Sequence, residues 1–169
     1  TDGSVERLQT RVGDAVRVIR NSSNRGFTQA NNVGLRASRG EHVCLLNPDT
    51  VVRPGAFGEL VRFLDAHPRA GFVGPRVLET DGSLQRSCKR MIPSPLEAVA
   101  QALALRWLLP PSPSRERNEA TCLDGDCTQR VGASSGCCMM ARRAMLDEIG
   151  LLDERFFIYC EDVDWFLRA

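Results

Sequence analysis

The chain has 169 residues, a length that suits one domain with room for a buried core. Hydrophobic residues make up 43% and charged residues 25%, which excludes disordered, collagen-like and coiled-coil classes. Its 22 Lys and Arg are scattered among 21 Asp and Glu with few aromatic neighbours, so nucleic acid is excluded as an expected partner.

Residues 24–38 open with polar side chains and Gly26, then space Phe27, Ala30, Val33, Gly34 and Ala37 at three- and four-residue intervals, predicting one face of a helix. Gly40 is its stop signal. Residues 42–46, His-Val-Cys-Leu-Leu, are short and mostly apolar, as in a strand buried on both faces. After Asn47-Pro48-Asp49, Pro54 opens a second helix whose stripe is Phe57, Leu60, Val61 and Leu64, ended by His67-Pro68. Residues 71–78 read as another strand, and Asp81-Gly82 as a tight turn. Such alternation predicts an α/β domain with a mostly parallel sheet flanked by helices and ligands at the carboxyl ends of the strands.

The middle is different. Residues 93–113 hold five prolines around the stretch 96–109, which is apolar on nearly every side except Glu97, Gln101 and Arg106. It reads either as a core helix or as a surface that meets lipid or another domain. Residues 115–118 form a charged link. Residues 129–140 return to a strand pattern in which Gly132, Ser134, Ser135 and Gly136 leave room for a close approach. Adjacent Cys137 and Cys138 are expected on opposite faces of it. Residues 142–149 predict a short helix stopped by Gly150, and 156–159 form another apolar stretch.

Two acidic groups carry candidate chemistry. Asp49 follows a buried strand, where its carboxylate suits a hard divalent ion that takes its other oxygens from phosphates and water. Asn-Pro-Asp is equally explained as a turn. Glu161-Asp162-Val163-Asp164 follows Phe156-Phe157-Ile158-Tyr159; these acids either stabilise a helix N-terminus or include a general base behind an apolar wall. His42 and His67, at a strand start and a helix end, read as structural, and Ser134-Ser135 lacks a nucleophile-elbow pattern. The seven cysteines are odd in number and lack paired C-x-x-C spacing, which fits a reduced, cytoplasmic compartment.

Taken in order, several motifs resemble those of the family 2 glycosyltransferases of GT-A fold, in particular their bacterial rhamnosyltransferase-like branch. They are Thr1-Asp2-Gly3-Ser4; Asn24-Arg25-Gly26-Phe27 with Ala30, Asn31, Asn32 and Gly34; Leu46-Asn47-Pro48-Asp49; Gly132 to Gly136 with Met139, Arg142 and Arg143; and Gly150 to Phe157 leading to Glu161-Asp162-Val163-Asp164. The resemblance implies a GT-A fold, Rossmann-like, over residues 1–169, with 93–117 a variable Pro-rich insertion or acceptor-side segment.

The same resemblance implies an inverting transfer of sugar from a nucleotide-diphosphate donor to a saccharide or lipid-linked acceptor. Asp162 would be the base and Glu161 its companion; Asp2, Asn24, Arg25, Gly26, Asn31, Asn47 and Asp49 would face the donor; Gly136 and Asp164 would lie on the acceptor side. Asp49 would hold Mg²⁺ or Mn²⁺, and Asn47 replaces the commoner acid of the family's D-x-D motif. The work would take place in the cytoplasm at the inner face of the membrane, with peripheral association, and an exposed sheet edge would favour a homodimer. The family's first strand is expected before Thr1 and a further helix after Ala169, so this span alone is expected to turn over weakly or not at all. A non-catalytic nucleotide-sugar-binding module and a sugar-nucleotidyltransferase are the competing readings.

Overall fold

The computed structural model describes residues 3–85, 88–90, 103 and 128–169. In chain order these form α1 (Ser4–Val12) with a 3-10 turn after it, α2 (Gly26–Ala37), β1 (His42–Leu46), α3 (Ala56–Ala66) and β2 (Phe72–Val73). Then come β3 (Lys89–Arg90), β4 (Ala133–Ser134), β5 (Cys138–Arg142), α4 (Arg143–Ile149) and α5 (Glu161–Arg168). Of the Pro-rich stretch and the charged link expected over 93–118, all but Leu103 lies outside the described residues.

The main sheet has the order β1-β5-β2, and β5 is antiparallel to both neighbours. The expectation of a mostly parallel sheet is therefore corrected: every strand pair among the described residues is antiparallel. The β1–α3–β2 crossover does set two strands running the same way, as alternating elements require. It leaves a strand's width between them, and β5, arriving from far along the chain, fills that gap in the opposite sense.

Both faces of β1 and β5 are covered. Val43 and Leu45 of β1 pair with Ala141 and Met139 of β5, and all four join Leu35, Leu146, Leu152 and Trp165 in one core cluster. On the opposite face, Cys138 and Met140 pack with Leu60 and Leu64 of α3. Each fully buried side chain of this size is worth roughly 1.5–3 kcal/mol, so the two clusters fix which way every strand residue points. Cys137 packs against the same cluster as Cys138, contrary to the expected split, because the strand begins only at Cys138.

Three further expectations change. The buried face of α2 consists of Thr28, Asn32 and Leu35, whereas Ala30 and Gly34 of the expected stripe are exposed. On α3, Leu60 and Leu64 are buried as expected while Phe57 is exposed. The strand expected over 71–78 is confined to Phe72–Val73, since Pro75 brings no N–H to a ladder. The Asp81-Gly82 turn forms as expected: Gly82 is left-handed, and Glu79 N donates to Ser83 O at 2.9 Å beside a Leu78–Leu84 bridge.

Two arginines fasten helices to the end of β5. Arg142 donates from Nε to Ala70 O at 3.1 Å and from Nη2 to Leu64 O, closing the carboxyl end of α3. Arg143 donates to Gly40 O at 2.8 Å and to Ser38 Oγ at 2.6 Å, just after α2. A helix end leaves its last carbonyls without the usual intrahelical partners; Arg142 adds a donor at one of them, Leu64 O, whereas Arg143 holds the segment that follows α2.

Candidate active site

Asp49 lies just past the carboxyl end of β1, as the sequence suggests. Asn47 N donates to Cys137 O at 2.8 Å, Thr50 N donates to Asn47 O at 3.2 Å, and Thr50 Oγ1 reaches Cys137 O at 3.4 Å. The Asn-Pro-Asp segment is thus a turn, hung on the backbone that enters β5. Asp49 itself is exposed, and among the described residues it makes no hydrogen bond or ion pair. A turn and a displayed carboxylate coexist here.

At the start of α2, Asn24 Oδ1 accepts from Gly26 N at 2.9 Å, while Arg25 is exposed. Gly26 has φ 76°, and a Cβ on it would lie 2.5 Å from Phe157 O and 2.7 Å from Phe157 Cδ2. Phe27 N donates to that same Phe157 oxygen at 2.8 Å. The close approach expected at Gly26 is therefore made by the chain's own Phe157. Asn31 Nδ2 donates to Phe27 O at 2.8 Å, so one of its amide bonds is spent inside the helix. Asp2 lies outside the described residues.

Two consecutive left-handed residues, Tyr159 at φ 71° and Cys160 at φ 68°, swing the chain into α5. That conformation is costly for residues with a Cβ. Glu161 and Asp162 follow in the first turn, each only 6% exposed, where the helix dipole favours negative charge. Asp162 Oδ1 accepts from Val163 N at 2.8 Å. Of the apolar wall expected from residues 156–159, Phe157, Ile158 and Tyr159 are exposed and Phe156 is partly buried, while α5 packs on β4 with Trp165 in the core. Asp164 Oδ2 is paired with Arg168 at 2.9 Å, and Arg168 also donates to Ile149 O and Leu151 O.

The segment 133–137 links these groups. Its β4 end touches α5, Gly136 lies so close to Phe27 that a Cβ would come within 3.4 Å of the ring, and the Cys137 carbonyl holds the Asp49 turn. The acid loop, the start of α2 and the acid pair of α5 thereby share one scaffold, although they stand far apart in sequence. Asn32 and Glu154 belong to the motifs but gained no role from sequence. The signal for Asn32 was a polar side chain on the core face of α2, and Glu154 carried none.

Among the described residues no cluster of three or more His, Cys, Asp or Glu side chains could hold a metal ion. Asp49 is a displayed carboxylate, and one such group could join a cation only if phosphate and water supplied the remaining oxygens.

An α/β domain with a displayed acid after one strand and a buried acid pair opening a helix is the class these observations define. Comparison with known proteins makes the assignment: the chain belongs to the family described as glycosyl transferase family 2, whose model matches residues 1–150. The matched span includes Asp49 and ends before Glu161. Family membership brings the GT-A type of α/β fold. Among curated relatives, an N-acetylglucosaminyl-diphospho-decaprenol L-rhamnosyltransferase of Mycobacterium tuberculosis is 36% identical over 124 residues, covering 72% of this chain and 39% of the relative. The low-salt glycan biosynthesis hexosyltransferase Agl10 of Haloferax volcanii is 28% identical over 160 residues, covering 92% of this chain and 47% of the relative. The chain thus spans less than half the length of these relatives. No helix among the described residues is long and apolar enough to cross a membrane.

Proposed function

We propose that the protein carrying this domain is an inverting glycosyltransferase that moves a sugar from a nucleoside-diphosphate donor to a hydroxyl of a lipid-linked glycan acceptor during cell-surface glycan synthesis. The observation that carries the reading is the pairing of unlike carboxylates on one scaffold: Asp49 displayed to solvent, Glu161 and Asp162 buried at a helix start. A displayed acid suits cation and phosphate. A buried acid at a helix start suits proton transfer.

In this mechanism Asp162 takes the proton from the acceptor hydroxyl as its oxygen forms a bond to the anomeric carbon. Attack comes from the face opposite the diphosphate, whose bond to that carbon breaks with its electron pair, so configuration inverts. Glu161 orients the base or the acceptor, and Gly136 and Asp164 stand on the acceptor side. Asn24, Arg25, Gly26, Asn31 and Asn47, with Asp2, line the donor. Mg²⁺ or Mn²⁺, when bound, neutralises charge on the departing diphosphate, and Asp49 is the residue that would hold it.

The names of the relatives support the acceptor class, since one is a transferase acting on a diphospho-decaprenol glycan. The domain would then work at the inner face of the membrane as one catalytic unit over residues 1–169. A correctly placed base is worth about 10²–10⁴ in rate. Asp162→Asn in the full-length protein is accordingly expected to lose turnover by that factor while still binding donor with Mn²⁺ in calorimetry. Wild-type turnover by that variant would overturn the assignment. A saturation-transfer screen against UDP-, dTDP- and GDP-sugars would identify the donor.

A further inference from the structure

Asn32 is 1% exposed, on the face of α2 that meets the core. A buried amide is costly unless its donors and acceptor are used. Here Nδ2 donates to Leu152 O at 2.8 Å and to Glu154 Oε1 at 3.0 Å, and Oδ1 accepts from Leu152 N at 3.1 Å. The side chain thus takes both backbone groups of Leu152, as a neighbouring strand would. Arg36, one turn further along α2, holds the same Glu154 oxygen at 2.8 Å.

The tied segment is the one that delivers the acid pair. Five residues beyond Leu152, Phe157 O accepts from Phe27 N, so 152–157 is fastened to α2 at both ends. From the other side, Trp165 Nε1 donates to Gly150 O at 2.9 Å, and Arg168 donates to Ile149 O and Leu151 O, locking α5 to the start of the same segment. A core position needing only volume would be filled by Leu or Ile. A bidentate amide adds direction.

We propose that Asn32 is a positioning residue: its clamp on Leu152 and Glu154 sets where α5 presents Glu161 and Asp162 relative to the Asn24–Gly26 end of α2. The inference rests on the glycosyl-transfer reading and extends it to a residue that touches no substrate. Misplacing a reacting group by about 1 Å costs about a hundredfold in rate, so the clamp acts on kcat rather than on donor affinity.

The test uses the full-length protein with the sugar nucleotide selected by the donor screen and a synthetic N-acetylglucosaminyl-diphospho-prenol acceptor. Asn32→Asp keeps the acceptor for Leu152 N, loses both donors and sets a carboxylate against Glu154. It is expected to lower kcat about ten- to a hundredfold with donor KM within about twofold. Adding Glu154→Gln, whose amide can donate to the new carboxylate, is expected to restore part of kcat. A folded Asn32→Asp protein with wild-type kcat, or a pair of variants without rescue, would overturn the proposal. Should Asn32→Asp fail to fold, Glu154→Ala decides: a fall in kcat at unchanged donor KM supports the clamp, and unchanged kcat overturns it. Asp162→Asn run in parallel separates the two levels, since its full activity would sink the glycosyl-transfer reading itself.

Discussion

The carbonyl oxygen of Phe157 sits 2.5 Å from the point a Cβ on Gly26 would occupy. A glycine that sequence alone assigns to ligand approach is thus required by the chain's own packing. Gly26→Ala must meet a left-handed backbone and a clash with main-chain oxygen, together about 2–4 kcal/mol of destabilisation. Urea unfolding would measure it. Unchanged stability with lost donor binding would instead return Gly26 to a purely ligand-facing role.

Asp49 makes the opposite case. It is exposed and has no partner among the described residues, so Asp49→Ala is expected to alter stability by no more than about 0.5 kcal/mol. Mn²⁺-dependent donor binding should be lost in calorimetry. A variant that binds donor with the same Mn²⁺ dependence as the parent would remove Asp49 from the metal site.

Arg142 and Arg143 are adjacent in sequence yet unequal in expected effect. Arg142 is half-buried and supplies Ala70 O and, together with His67 N, Leu64 O, so Arg142→Met takes the side-chain donor from both carbonyls and should cost about 2 kcal/mol. Arg143 is more open to water, which can replace it, and Arg143→Met should cost about 1 kcal/mol. Chemical denaturation of the two variants under one set of conditions gives the ratio.

Asp153 gives the pH dependence. The Arg155 guanidinium, bonded to its carboxylate, holds the Asp153 pKa at about 2, against an ordinary 3.8. A carboxyl whose folded pKa is depressed stabilises the fold above its unfolded pKa, and that contribution is lost as pH falls through the folded value. The Asp153 contribution should therefore be whole above about pH 4 and fade toward pH 2. Carboxyl titration by NMR would follow it, and Arg155→Ala should move the midpoint upward.

Glu154 connects this loop to the clamp. Its carboxyl is held below the usual range by the Asn32 amide first and by Arg36 next. Asn32→Ala should raise its midpoint even with no substrate present, which a carboxyl titration would read directly.

Local order was legible in the sequence where neighbours along the chain decide it. The β1 strand, the turn at Asp81-Gly82 and the α4 stop at Gly150 follow from periodicity and backbone preference. So did the place of Asp49, because a strand that ends in Asn-Pro-Asp has to expose what comes next. The motifs also pointed to the family, since their spacing reflects one scaffold.

What tertiary structure alone decided involves partners distant in sequence. Nothing near β1 announces that β5 will lie beside it in the opposite sense, because strand pairing depends on which apolar faces a remote segment can cover. Nothing near Gly26 announces Phe157, and nothing near Asn32 announces Leu152, 120 residues away. A buried amide reads as a flaw in an apolar stripe until the backbone it satisfies is in view. Sequence therefore determined the motifs and the family they point to, and the long-range hydrogen bonds and core packing determined how the acid pair is held.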